Sequence, residues 1–297
     1  DLMEGAGGLG AGEAARAFEF HDSWALAVTA TRYKLQEVKR TSIERALLKM
    51  VVTRGDQLSV QALYRIRSAH QRLALQLPAG AGLDSDPVRI NGRPSSLEQG
   101  KADEFFVPLV GQNPDSPFVL EIRYSLPQGG LQFRFPVFPS EPAVQKVYLT
   151  AYLPPDRMLL GSRGPWTDEQ RWDWVDGRGF LPSPRTHDTS LAQWVSEGIS
   201  LPTNPTDGFQ VDGRPYLFSA LQPLAPPEGM LKLVTIDEDW WNGIVVTVLI
   251  VAGVVLIRFK VGVRFVAVGV FLGACILCGI FLRTLSMHLL YGVTISA

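Results

Sequence analysis

Residues 1–242 contain no cysteine; Cys275 and Cys278 are the chain's two, and both lie in an apolar run near the C-terminus. That absence excludes a disulfide framework and a Cys-based metal site from the front four-fifths of the chain. Acid is missing from the other end. Residues 243–297 hold four Lys or Arg and no Asp or Glu. The front therefore carries all 29 acids against 24 of the 28 basic residues, a balance of five negative charges. No basic stretch is dense enough for a nucleic-acid surface, so nucleic acid is not an expected partner.

Catalytic signatures are also missing. There is no G-x-S-x-G, no P-loop and no H-E-x-x-H. His21, His70, His187 and His288 are far apart and none stands in metal-ligand spacing. No cofactor, metal or catalytic residue is expected, and the chain reads as non-enzymatic. It opens on Asp1 without an initiator Met or a signal-peptide pattern. The expectation is a C-terminal piece of something longer, or a processed chain.

What is present in quantity is apolar length. Trp240 to Ile257 gives 18 residues without a charge, roughly 27 Å of helix and close to the hydrocarbon thickness. Phe265 to Leu282 gives another 18. Neither run has a polar face, so the pair predicts a transmembrane hairpin with helices at about 240–257 and 265–282. Arg258, Lys260 and Arg264 between them place the connecting loop in the cytoplasm. The expected location is therefore the cell membrane, multi-pass, with residues 1–239 outside the cytoplasm and the lipid bilayer as a partner. Trp240 and Trp241 fall at the outer headgroup level, where amphipathic rings are stable. Gly269 and Gly273 stand in GxxxG spacing and are expected to seat the second helix against the first. Cys275 and Cys278 form a C-x-x-C at mid-membrane, read as small packing residues.

The front part alternates with period two. In "FVLEIRYSL" Phe118, Leu120, Ile122, Tyr124 and Leu126 point one way, and Val119, Glu121, Arg123 and Ser125 the other. That predicts a strand with one wet face in an antiparallel sheet. The pattern recurs at Leu58–Ile66, Leu73–Leu77, Leu131–Phe135, Val147–Leu153 and Trp24–Val28, and a long strand is expected from Thr41 to Val52. Gly55-Asp56, Asn91-Gly92 and Asp212-Gly213 carry hairpin-turn chemistry; the "RGD" at 54–56 is read as turn formers. The fold class is mainly β, an antiparallel β-sandwich-like region, in two units: 1–127, and 128–236 with short helices. One continuous sheet is the alternative. "TDEQRWDW" has Thr167 and Gln170 in capping-box spacing and reads as a helix; "DTSLAQWVSEG" reads as another, with Asp188 as N-cap.

The candidate binding residues are Trp166, Trp172, Trp174 and Trp194, with Asp173 and Asp176. Flat rings beside carboxylates suit sugar rings and their hydroxyls, which makes cell-wall glycan an alternative ligand to envelope proteins. Asp168, Glu169 and their neighbours also admit an acid pair for glycoside hydrolysis. Against both stands plain packing of tryptophans under a loop.

"LLKMVVTRGDQLSVQALYRIRSAHQRLALQLP", "VRINGRP" with "EFFVPLV", and "FVLEIRYSLP" resemble segments of large, uncharacterised bacterial membrane-anchored proteins. Those carry extracytoplasmic β-sandwich modules followed by C-terminal membrane helices. The resemblance covers roughly residues 40–155 and the tail arrangement. It implies an outside-facing β body acting in binding or assembly, and brings no catalytic motif with it.

Overall fold

The computed structural model describes residues 41–281, except 54, 56, 101–103, 128–130, 140–143, 176–178 and 203–207. The chain divides into two compact units, 1–38 and 39–297, and the described residues all lie in the second. The expected strand at Trp24–Val28, Asp176 and the tail 283–297 fall outside them.

The elements run β1 (Thr41–Val52), β2 (Leu58–Ser68), β3 (Arg72–Gln76), β4 (Gly82–Ile90), β5 (Arg93–Pro94), β6 (Glu98–Gln99), β7 (Glu104–Pro108), β8 (Phe118–Leu126) and β9 (Gln132–Phe133). Then come β10 (Lys146–Leu153), β11 (Arg157–Arg163), β12 (Thr167–Asp168), β13 (Gln170–Val175), β14 (Gly179–Pro184), α1 (Asp188–Ser196), β15 (Arg214–Leu221), β16 (Leu231–Asp237), α2 (Glu238–Ile257) and α3 (Val261–Phe281).

An eight-stranded sheet in the order β12-β15-β10-β1-β2-β8-β4-β5 forms the centre. Its alternating apolar positions, among them Leu48, Met50, Tyr64, Ile122, Leu149 and Phe218, make the main core. Leu73 and Val107 from the sheet β3-β7-β6, and Phe133, Leu159 and Leu231 from the sheet β11-β16-β9, belong to the same core. Two small sheets thus cover one face of the large one. The mainly β expectation holds; all the sheets are open, and β1 pairs with β10 in parallel, so the pairing is not purely antiparallel. That β1–β10 ladder also crosses the boundary expected at Pro127: strands from both expected units share one sheet.

β1 occupies the expected span and carries a bulge at Glu44, since Ile43 faces Ile66 and Arg45 faces Arg65. The extra residue shifts the phase, so Ile43 and Ala46 both reach the core. Asn91 and Gly92, at φ 50° and 77°, turn β4 into β5 as their sequence predicts. Asp212-Gly213 instead leads into β15, where Gly213 passes against the backbone of Leu153.

"TDEQRWDW" is not a helix. Thr167–Asp168 is a strand on β15, and Gln170–Val175 pairs antiparallel with β14. Charged Arg171 and Asp173 alternate with Trp172 and Trp174, a strand period that prevails over the capping-box spacing. α1 does form, buries Leu191 and Val195, and starts one residue early, with His187 at the N-cap position.

α2 is 20 residues long, and its 18-residue apolar window has a mean hydropathy of 2.3 and is 6% buried. Among the described residues it is the one helix long and apolar enough to cross a membrane. The structure thus supports one candidate span and does not establish the expected hairpin or the multi-pass topology. α3 follows, and a Cβ on Gly262, Gly269 or Gly273 would meet nothing within 4 Å among the described residues. The guanidinium of Arg264 donates to the carbonyls of Phe259 (2.9 Å) and Ile257 (2.8 Å), tying the connection to its own backbone.

Candidate functional site

The second face of the large sheet was expected to be wet. It is covered instead. Leu47, Leu63, Val119 and Leu217 pack against Leu191, Ala192 and Val195 of α1. Beside this patch the register lines up Thr150, Lys49, Gln61 and Arg123 across β10, β1, β2 and β8. All four are buried, as is Glu121. Charges removed from water need partners. Lys49, 3% exposed, lies 3.3 Å from Asp188 Oδ2 at the start of α1. Thr150 donates to Asp188 Oδ1 at 2.9 Å, and the Tyr152 hydroxyl donates to Oδ2. Glu121 Oε1 accepts from Gln61 (2.7 Å) and from Arg123 Nε (2.6 Å). Arg123 also reaches the Gly208 carbonyl at 3.1 Å.

Burial lowers the Lys49 ammonium below its ordinary range, and the carboxylates of Asp188 and Glu121 oppose that shift. Burial raises the Tyr152 phenol, and its bond to Asp188 raises it further. At the other end of α1, Arg45 donates to the Trp194 carbonyl and to Glu197, both at 2.6 Å. Arg65 donates to the carbonyls of Val195 and Glu197. Two arginines on the sheet thus satisfy the open carbonyls at the C-terminal end of α1. The network binds the helix to the sheet at both ends, and its groups are engaged with one another.

An open cavity lies on the opposite face. About 320 Å³ in volume, it is lined by Leu48, Tyr64, Phe135, Phe138, Trp166 and Leu224 among others. That size and apolar lining suit a small apolar ligand or the apolar side chains of a peptide. The Tyr64 phenol beneath it is raised by burial.

The expected tryptophan surface is dispersed. Trp166 is 9% exposed, donates to the Gly229 carbonyl at 2.9 Å and packs on Phe135 with ring centroids 5.2 Å apart. Trp194 sits across the sheet on α1, edge-on to Tyr148. Trp172 and Trp174 share one face of β13; Asp173 faces the other way and pairs with Arg171 at 2.9 Å. Asp168 accepts from the Gln170 amide and Glu169 from Ser219, so both carboxylates serve the local backbone and sheet. Among the described residues no three His, Cys, Asp or Glu side chains are grouped to hold a metal ion.

Sequence reasoning passed over Lys49, Gln61, Glu121, Thr150 and Tyr152. The available signal was Leu47, Val51, Leu63 and Val119 on positions expected to be wet. Apolar residues on both faces of a strand mean that both faces are covered, and a charge among them then demands a partner.

No family model matches the chain, and no curated protein matches it. Solved structures do align with it. Yeast LTA4 hydrolase in complex with Bestatin is 13% identical, with a TM-score of 0.38 over 70% of this chain and 31% of the hydrolase. The M1 zinc metallopeptidase from Deinococcus radiodurans is 13% identical, with a TM-score of 0.36 over 66% of this chain and 42% of the peptidase. The chain spans less than half the length of either. These matches correct the expectation of a chain that is not an enzyme: the aligned structures are enzymes, so a non-enzymatic role is not carried forward. Likeness this low assigns no residue here a role.

Proposed function

We propose that the chain is a β-rich region held to the cell membrane by α2, outside the cytoplasm, where it binds or assembles partners at the envelope. The exposed apolar surface of α2 carries this reading. An 18-residue window of mean hydropathy 2.3 with almost nothing packed against it needs a nonaqueous surrounding. Glu238 and Asp239 stand at its start, and Arg258, Lys260 and Arg264 at and beyond its end, a polarity that suits a cytoplasmic C-terminal side. The resemblance to bacterial membrane-anchored β-sandwich proteins supports the same arrangement. The cavity at Trp166 is the binding site this reading favours, with apolar groups of an envelope partner as its occupant.

Alkaline carbonate extraction of membranes holding the full chain tests the anchor. The wild-type chain stays with the lipid, and Val248→Lys with Val251→Lys releases it, because each cation at a helix centre costs about 2.5–3.5 kcal/mol. Wild-type chain in the carbonate supernatant would sink the reading.

A further inference from the structure

Two tyrosines of the large sheet spend their hydroxyls on protein acceptors: Tyr152 on Asp188, and Tyr124 on the Arg134 carbonyl at 3.3 Å. Tyr64 does not. It stands in β2, opposite Ala46 of β1 and Leu120 of β8, and is 2% exposed. Its ring meets Phe138 edge-on, with centroids 4.9 Å apart. Its hydroxyl makes no hydrogen bond to any described residue, and burial alone raises the phenol. The oxygen is not sealed in protein either. The open space that Tyr64 meets is the Trp166 cavity.

The rest of the wall offers that cavity almost no donor. Trp166 gives its indole N–H to Gly229, and the amide and carbonyl of Val137 both pair with Gln76. Pro136, Pro139, Pro223 and Pro226 line it and have no N–H. A water beside Tyr64 would meet one free side-chain partner, whereas buried water typically makes about three bonds. No charged side chain stands among the described lining residues, so an ionised group entering would lose its hydration without compensation. Tyr64, Phe135, Phe138 and Trp166 instead present ring faces and edges, which pack well on another ring. A volume of about 320 Å³ lies at the small end of ligand pockets.

We propose that the Trp166 cavity takes a neutral aromatic ring carrying a carbonyl, with the Tyr64 hydroxyl donating to the carbonyl oxygen. A carbonyl asks for one donor, and Tyr64 is the free one. The bond also removes the cost of a buried hydroxyl left without a partner. The proposal rests on the cavity being a binding site and narrows what enters it. It does not depend on where α2 lies, so failure of the anchor is read separately by carbonate extraction.

The test uses the full chain in detergent with benzophenone, a neutral aromatic ketone, and diphenylethylene, its analogue with a methylene group in place of the oxygen. Titration calorimetry, with empty micelles subtracted, gives both affinities. Benzophenone is expected to bind the tighter, and Tyr64→Phe to lower the ratio of the two affinities about fivefold. Irradiated benzophenone inserts into nearby C–H bonds, and the labelled peptides are expected to contain 135–138 or 223–226. Equal affinities that Tyr64→Phe leaves unchanged, with label on those peptides, overturn the carbonyl assignment and leave the cavity standing as a binding site. Label elsewhere, or no binding of either compound, overturns the cavity as well. Benzoylbenzoate bound as tightly as benzophenone overturns the neutral ligand. Should Tyr64→Phe fail to fold, the carbonyl stretch of benzophenone bound to the wild-type chain decides: a band at lower frequency than in hydrocarbon solvent supports the bond, and an unshifted band overturns it.

Discussion

The ammonium of Lys49, in the middle of β1, lies 3.3 Å from the carboxylate of Asp188, the first residue of α1. One acid thus receives a cation and two hydroxyls from two neighbouring strands. Removing the acid leaves the buried cation without its nearest partner. Asp188→Asn is expected to cost about 3 kcal/mol or more, and the double variant with Lys49→Met less than the two single changes together. Denaturant melts of the full chain in detergent read both, and strict additivity would rule out the coupling.

Alkali acts on buried phenols. Tyr64, Tyr124, Tyr152 and Tyr216 are all raised above the ordinary value near 10, chiefly by burial. The native state keeps these protons after the unfolded chain has released them. Their contribution is constant below pH ~10 and falls above it by about 1.4 kcal/mol per pH unit for each tyrosine. Tyr64→Phe should reduce that slope by one such share. Lys49 has the opposite sign: between its lowered native value and 10.5 the unfolded chain binds the extra proton, so stability climbs with pH. Lys49→Met loses the climb. Melts across the alkaline range, with tyrosinate absorbance followed alongside, test both.

Gly213 sits at φ 106°, and an added Cβ would meet the Leu153 carbonyl oxygen at 2.2 Å. Gly161 has open space at the same test. Gly213→Ala is expected to destabilise by several kcal/mol and Gly161→Ala by less than about 1 kcal/mol. Equal melting temperatures for the two variants would refute the close approach.

Trp166→Phe removes the donor to the Gly229 carbonyl. A stability loss of about 1–3 kcal/mol is expected, from a buried acceptor left without its bond. The same change enlarges the Trp166 cavity, so binding of an apolar fluorophore at that site should strengthen or shift in spectrum. A variant as stable as the parent would show that water replaces the bond.

Strands were legible where one face is apolar. Phe118 to Leu126 and Leu58 to Ile66 declare themselves by alternation alone, because period two is local geometry. The hairpin β13–β14 was hidden by Thr167 and Gln170, whose spacing fits a helix cap equally well; the partner strand from Gly179 onward decides between the two. The expected tryptophan site failed for a related reason. Trp166 and Trp194 are close in sequence but lie on opposite faces of one sheet.

By itself the amino-acid order determined the mainly β character, the position of β1, the Asn91-Gly92 turn and the apolar length of α2. Each depends on neighbours a few residues away. Tertiary structure alone decided that β1 joins β10 across the chain and that Lys49 meets Asp188 under a helix. Those outcomes depend on which distant surfaces come together, and a local pattern carries no record of its distant partner.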